Sequence, residues 1–156
     1  MNLNYLAFLL ISFIPMLLGW LWFSPKSPIT KNRDLVVSLS TGKILWLFIM
    51  SIAFIYGYMN LIIHQMGFYE LFFTDIMKGS AEAQATVDKF LAEYGNKHRH
   101  LGHGVFHGAI NAFVIALPFI SVSLLVEGKN IKQLWYPFSY WLVTSIVVGG
   151  LISQFV

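Results

Sequence analysis

The sequence predicts an all-α integral membrane protein: a bundle of four membrane-spanning helices with a short amphipathic helix at the membrane surface. Two observations lead to this fold class. The chain has 156 residues, of which 57% are hydrophobic and only 11% are charged, so it lacks the charged surface that a soluble domain of this size needs. Four stretches are long and apolar enough to cross a bilayer. The length is that of one domain, residues 1–156.

The four predicted spans follow from length and apolar content, because a helix needs about 20 apolar residues to cross the hydrocarbon core. They cover residues 3–23, 44–66, 101–126 and 134–156. The first stretch lacks the basic start and the small-residue cleavage site of a signal peptide. It ends at Trp20 and Trp22, which favour a membrane interface, followed by Pro25, which stops a helix. Pro15 and Pro118 lie inside spans, where we expect kinks.

The long segment between the second and third spans predicts one further helix, at residues 80–94. Ser80 suits an N-cap, and Glu82 falls in the first turn, where the helix dipole favours an acid. Apolar residues then recur at helical spacing, at Val87, Phe90, Leu91 and Tyr94. We expect this helix to lie on the membrane or to cap the bundle.

The basic residues predict the orientation. Residues 24–43 carry four basic residues and one acid, and the turn at 127–133 adds Lys129 and Lys132. Residues 67–100 carry four basic residues and five acids. The positive-inside rule therefore predicts that the first and third loops lie on the inner side of the membrane and that both termini lie on the outer side. No basic stripe lies on a soluble face, so the net charge of +3 does not indicate a nucleic-acid partner.

All five histidines map to one edge of the membrane. His64 lies at the end of the second predicted span, and His98, His100, His103 and His107 run through the start of the third. Successive helical residues turn by about 100°, so the side chains of the last three fall within roughly 60° of one another. A single histidine near a helix end is explained by interfacial packing. Four histidines within ten residues, three of them on one face, favour a ligand role.

The leading hypothesis is a histidine-lined site that binds a metal ion or a small polar ligand. Imidazoles at i and i+4 can share a divalent ion, and zinc or another late transition metal suits nitrogen ligands; haem is a less favoured alternative. The predicted ligands are His64, His103 and His107, with His100 as a fourth, and Asn60 and Asn111 as hydrogen-bond partners behind them. A proton or solute path and simple interfacial packing are alternative interpretations of the same residues.

Other function classes are weaker. There is no phosphate-binding glycine loop, no nucleophile elbow, no His-Glu-x-x-His pair and no cysteine, so an enzyme is not the leading class. The first alternative is an accessory or assembly subunit that packs against a larger membrane complex. The second is a homo-oligomeric transporter or channel, which is disfavoured because no carboxylate lies within a span. Beyond the lipid bilayer, the partner is therefore either a second copy or a larger complex.

Glycines predict a close helix–helix contact. Gly104 and Gly108 form a small-xxx-small pair in the third span, and Gly149 with Gly150 is the matching pair in the fourth. Such a pair serves either dimerisation or packing within one bundle. Packing within the bundle is favoured here, because these glycines lie beside the histidines and so face inward.

Five segments carry a family resemblance: residues 19–25, 63–67, 94–99, 102–108 and 124–129, the last leading to Tyr140 and Trp141. The most distinctive is His-Gly-Val-Phe-His-Gly at 103–108. Together they resemble the bacterial membrane family called domain of unknown function 1761, particularly its Bacteroidetes-like members. The resemblance spans nearly the whole chain and implies a four-span inner-membrane protein. It implies no activity, because the function of that family is not established.

Overall fold

The computed structural model describes residues 3–24, 27, 29 and 40–156, and it confirms an all-α fold. The α-helices are α1 (Tyr5–Ile11), α2 (Ile14–Phe23), α3 (Thr41–Ile62), α4 (His64–Met77), α5 (Ala81–Tyr94), α6 (Leu101–Asn111), α7 (Leu117–Val126) and α8 (Trp135–Phe155). A π-helical turn, Ala112–Ala116, joins α6 to α7, and a 3-10 turn, Ile131–Leu134, precedes α8. No strand occurs among the described residues.

Four helical stretches are long and apolar enough to cross a membrane, as the sequence predicts: Tyr5–Phe23, Thr41–Ile62, Leu101–Val126 and Ile131–Phe155. They are named the first to fourth spans below. The fourth span is the central one, because 50% of its apolar window is buried, against 22%, 22% and 11% in the other three. The other spans surround it and expose their apolar side chains outward, where lipid would contact them.

The first span is interrupted between α1 and α2, at Ser12 and Phe13. Pro15 explains the break, because proline has no N–H to donate and its ring clashes with the carbonyl four residues earlier. The last turn of α1 ends at Ser12, whose N–H and hydroxyl both donate to the Phe8 carbonyl, at 3.1 and 2.9 Å. The kink expected at Pro15 is thus a break between two short helices.

The third span stays continuous in spite of Pro118. The π-helical turn before it widens the helix by one residue, so that the Leu117 N–H donates to the Ala112 carbonyl. Pro118 then falls in the first turn of α7, where a missing N–H breaks no bond within that helix. This arrangement keeps 26 residues in a single span.

The second span ends four residues earlier than the predicted limit of residue 66. Helix α3 stops at Ile62, and Ile63 adopts a non-helical conformation, with φ −90° and ψ 86°. Neither glycine nor proline stands at this break. Its cause is packing: Ile62 and Ile63 are almost fully buried in a core with Tyr58 of α3 and Ile152 of α8. The chain then starts α4, a helix that the sequence pattern did not predict.

The predicted amphipathic helix forms as α5, and α4 is its partner. The Ser80 hydroxyl accepts a hydrogen bond from the Ala83 N–H at 3.2 Å, as expected of an N-cap. On the apolar stripe, Val87 is fully buried and Phe90 stacks on Phe68 of α4, with ring centroids 3.8 Å apart. The two helices therefore cover each other's apolar faces outside the four spans.

Both described ends of the chain lie at one edge of the bundle. The Asn4 N–H donates to the Val156 carbonyl at 3.3 Å, which places the start of the first span beside the end of the fourth. The opposite edge is held by aromatic residues. The Trp22 indole donates to Ser139 Oγ at 3.2 Å, and the Tyr136 hydroxyl donates to the Trp22 carbonyl. We call these the termini edge and the tryptophan edge.

Helices α6 and α8 approach each other closely, and glycines permit it. A Cβ on Gly104 would collide with the Gly149 carbonyl and come within 2.7 Å of Ser153 Cβ. A Cβ on Gly108 would collide with the Ser145 carbonyl and lie 2.8 Å from Ile146 Cα. The two backbones therefore touch over a full helical turn, within the bundle. We call this contact the α6–α8 seam.

We predict that Gly104→Ala lowers the free energy of unfolding by about 1–3 kcal/mol, because overpacking a tight interface forces the backbones apart. The matched control is Gly57→Ala in α3, where a Cβ would meet nothing within 4 Å. Thermal unfolding of both variants in detergent, followed by circular dichroism, tests this. Equal melting temperatures for the two variants would contradict the close contact.

Candidate functional site

Three histidine side chains from two helices meet at the termini edge. His103 and His107 lie one turn apart on α6, and His64 is the first residue of α4. The ring centroids of His64 are 5.3 Å from those of His103 and 4.9 Å from those of His107, and the latter two are 4.4 Å apart. One nitrogen from each ring can be chosen so that all three lie within 4.8 Å of one another. We call these residues the histidine triad.

The start of α6 is fixed by several hydrogen bonds. His100 is the N-cap, and its Nδ1 accepts from the His103 N–H at 3.2 Å. The Leu101 N–H donates to Gln154 Oε1 at 3.1 Å, and the Ser153 hydroxyl donates to the His100 carbonyl at 3.0 Å. These bonds tie the first turn of α6 to the end of α8, so the imidazoles one and two turns along have a defined position.

His64 owes its position to the break at Ile63. Because Ile63 leaves the helical conformation and is buried, the chain changes direction and places His64 opposite α6. The next residue, Gln65, is also buried, and its Nε2 donates to the Gly95 carbonyl at 2.6 Å. This bond links the start of α4 to the end of α5. His64 itself stays exposed, so solvent reaches the triad from that side.

The spacing of the triad is close to what a metal ion requires. Zinc binds histidine nitrogen at about 2.0–2.1 Å, so the ligand nitrogens of a tetrahedral site lie about 3.4 Å apart. The triad nitrogens, all within 4.8 Å, would need to move inward by roughly an ångström. Side-chain rotation suffices for such a shift, and the exposed His64 is free of tight packing on one side. The backbone already holds the three residues in place.

One nitrogen of the triad lacks a partner. Nε2 of His103 is buried and forms no hydrogen bond within the described part of the chain. A buried polar atom left unsatisfied costs about 1–3 kcal/mol, so native proteins rarely leave one unless a water or ion completes it. The triad therefore contains a nitrogen that a bound ligand would satisfy.

The structure does not bring His100 or His98 into the triad. The Nδ1 of His100 is occupied as a helix cap, and the ring centroid lies 5.9 Å from that of His103. An imidazole that accepts at Nδ1 while neutral carries its proton on Nε2, so neither nitrogen is available to a metal. The ring of His98 stacks on His103 at 5.4 Å and is exposed.

The two asparagines expected behind the ligands contact other groups. Asn60 Nδ2 donates to the Tyr56 carbonyl at 2.8 Å, within its own helix. Asn111 lies one turn below His107, and its side chain interacts with the Tyr58 side chain. Tyr58 in turn donates to the backbone at the seam, 3.3 Å from the Gly108 carbonyl.

The charge around the triad is not negative. No carboxylate joins the three imidazoles in the part of the chain that the structure describes. Arg99 precedes His100, and partial burial lowers the pKa of its guanidinium, which nevertheless remains protonated at neutral pH. A divalent ion here would therefore keep its full charge and would attract water or an anion to a remaining coordination position.

Sequence reasoning identified the triad residues but not the element that carries His64. It treated His64 as the last turn of the second span, whereas the residue opens a separate helix. The Phe68 and Phe72 pair, four residues apart, was an available helical signal in this segment. Glu70 and Asp75 interrupt the apolar pattern of this segment, so the pattern did not predict a helix.

No protein-family model matches the sequence, and comparisons with curated proteins and with solved structures find no match. The resemblance to the domain of unknown function 1761 family therefore stays a prediction.

We predict that His100→Ala lowers the free energy of unfolding by about 1 kcal/mol, because α6 loses its cap, whereas His100→Asn retains an acceptor and most of the stability. His98→Ala is the control, since His98 is exposed and caps nothing in the described structure. Thermal unfolding in detergent compares the three variants. If the asparagine variant is as unstable as the alanine variant, His100 does not act as a cap.

Proposed function

We propose that this membrane protein binds a divalent transition-metal ion through His64, His103 and His107, with zinc as the preferred ion. The observation that carries the proposal is the meeting of three imidazoles from two helices, with ligand nitrogens within 4.8 Å. The unpartnered Nε2 of His103 supports it independently. Borderline-soft imidazole nitrogen suits zinc and the other late first-row metals better than calcium or magnesium.

The proposed site has three neutral ligands and an open fourth position. Three-histidine zinc sites with one open position are typical of centres that bind a further molecule, whereas structural zinc sites are closed by four protein ligands. The exposure of His64 leaves this position accessible from the termini edge. His100 is then a positioning residue, because it caps the helix that carries two of the ligands.

The direct contacts among the rings favour an ion over haem. His64 lies edge-on to both His103 and His107, with centroids about 5 Å apart. A porphyrin held between His64 and either partner would have to separate rings that now touch. A small ion needs only the inward rotation described above.

The test is zinc binding to the purified protein in detergent, measured by calorimetry and by metal analysis after dialysis. We expect one equivalent of zinc in the wild type. In His103→Ala and in the double variant His103→Ala/His107→Ala, the affinity should fall by more than about tenfold, the loss already typical of outer-shell partners. Cobalt is a second probe, because its visible absorption reports the coordination geometry.

The matched control is His98→Ala, which removes a neighbouring exposed imidazole that does not belong to the triad. This variant should keep wild-type zinc affinity. Loss of binding in His98→Ala equal to that in His103→Ala would indicate nonspecific binding by the histidine-rich edge. A wild-type protein that takes up neither zinc nor cobalt would rule out the metal site.

The alternatives have less support. An accessory subunit needs a surface for its partner, and the glycine pairs do not supply one, because they pack within the bundle, between α6 and α8. A transporter or channel needs a path, and Glu70, Asp75 and the other acids of the described chain lie outside the four spans. Neither a homo-oligomer nor a larger complex is required by the proposed site.

We further propose that the protein lies in a bacterial inner membrane with the termini edge, and hence the histidine triad, on the periplasmic side. The excess of basic residues in the first and third loops supports this orientation. The resemblance to the domain of unknown function 1761 family supports the same membrane. Metal binding would then occur at the outer face of that membrane.

We predict that alkaline phosphatase fused after Val156 is active and that green fluorescent protein fused there is dark, because both reporters would be exported. Fusions to a chain truncated after Lys129, in the third loop, should give the opposite pair of results. Fluorescence from the fusion after Val156 would reverse the proposed orientation without affecting the metal site.

A further inference from the structure

A single buried hydroxyl group joins three of the four spans beside the histidine triad. Tyr58 of α3 has only 5% of its surface exposed. Its hydroxyl lies 3.3 Å from the Gly108 carbonyl of α6 and 3.4 Å from the Ser145 carbonyl of α8, so that one donor is shared between the two helices. The side chain of Asn111 also interacts with that of Tyr58. We call these contacts the Tyr58 node.

The Tyr58 node lies between the two backbone segments that carry the triad. On α6, the hydroxyl contacts the carbonyl of Gly108, the residue directly after His107. On α3, Ile62 lies one helical turn after Tyr58, packs in the same buried core and directly precedes the break that leads to His64. A shift of α3 against α6 would therefore change the separation of the His64 and His107 imidazoles.

The Tyr58 hydroxyl is the polar link between these helices at the triad end of α3. No other side chain in residues 51–62 forms a hydrogen bond to α6 or α8 within the described part of the chain. Apolar side chains gain little from burial in a membrane, because lipid is as apolar as the protein interior. A hydrogen bond depends on direction and distance, so this hydroxyl restricts where α3 can lie against the seam.

The proposed metal site tolerates little displacement of the backbone. The triad nitrogens lie within 4.8 Å of one another and must move inward by roughly an ångström to reach the spacing of a tetrahedral zinc site. Side-chain rotation covers a shift of that size. If α3 moved away from α6 by about another ångström, the required shift would double. The affinity for an ion therefore depends on how firmly α3 is held.

From these observations we infer that Tyr58 is a positioning residue of the histidine triad, which holds α3 against α6 so that His64 stays within reach of an ion bound by His107. It is not a ligand, because no hydrogen bond or ring contact joins it to a triad imidazole in the described structure. The inference rests on the proposed metal site. It also gives Asn111 a role, since this residue would act on the triad through the Tyr58 side chain.

The test compares the zinc affinity of the wild type and of Tyr58→Phe, measured by calorimetry on the protein purified in detergent. The variant keeps the ring that stacks on Phe54 and loses only the hydroxyl. We expect one equivalent of zinc, bound with an affinity lower by about threefold to tenfold, the effect of one interhelical hydrogen bond in a membrane protein. The absorption spectrum of bound cobalt should change too, because a displaced His64 alters the coordination geometry.

The matched control is Tyr140→Phe, the same substitution at another buried tyrosine. The Tyr140 hydroxyl donates to the Pro15 carbonyl at 2.8 Å, and its ring contacts Trp22 in the tryptophan-edge half of the bundle. Both variants should lower the melting temperature, but Tyr140→Phe should keep the zinc affinity and the cobalt spectrum of the wild type. An unchanged zinc affinity in Tyr58→Phe, or equal losses in the two variants, would overturn the inference.

A measurement without metal separates this inference from the metal site. The chain has no cysteine, so Gly67→Cys on α4 and Val114→Cys after α6, both exposed, give a unique pair of spin labels. Pulsed EPR of the metal-free protein should show a broader distance distribution when Tyr58→Phe is added, but not when Tyr140→Phe is added. Such broadening in a protein that takes up no zinc would support the positioning role and refute the metal site. Zinc uptake by the wild type without such broadening would refute the positioning role alone.

Discussion

The architecture depends on the backbone contact between α6 and α8. Gly104 lies against Gly149, and Gly108 lies against Ser145, so the two backbones are in direct contact at these positions. In lipid, apolar surface gains little from being buried, so close van der Waals packing of small residues is the main source of helix association. The Tyr58 hydroxyl, within 3.4 Å of the Ser145 carbonyl, attaches α3 to the same contact. Three of the four spans are thus located by a single seam.

The seam and the histidine triad share one sequence repeat. Each ligand in α6 directly precedes a seam glycine, as His103-Gly104 and His107-Gly108. Four-residue spacing keeps like residues on one helical face, and a step of one residue turns by about 100°. The glycines therefore face α8 while the imidazoles face α4. A substitution that shifts the seam would also rotate the ligands, so packing and binding are coupled in this segment.

The sequence predicted what depends on composition and short-range pattern. Length and apolar content were enough for the four spans, and the Gly104 and Gly108 spacing was enough for the close contact. The break at Ile63 could not be predicted, because no local residue causes it; burial of Ile62 and Ile63 against α8 does. The same limit applies to Asn60, whose amide bonds within its own helix instead of approaching the imidazoles.

The two ends of the bundle are held together by different kinds of contact. At the termini edge, the glycine seam and the hydrogen bonds to Ser153 and Gln154 draw polar elements together, and the triad forms there. At the tryptophan edge, α2 and α3 are each anchored to α8, through Tyr140 and through the Phe54–Trp141 ring contact. The first and second spans also contact each other directly, because the rings of Phe13 and Phe48 stack with centroids 4.7 Å apart. Hydrogen bonds between polar groups therefore organise the termini edge, whereas contacts between aromatic side chains organise the other half of the bundle.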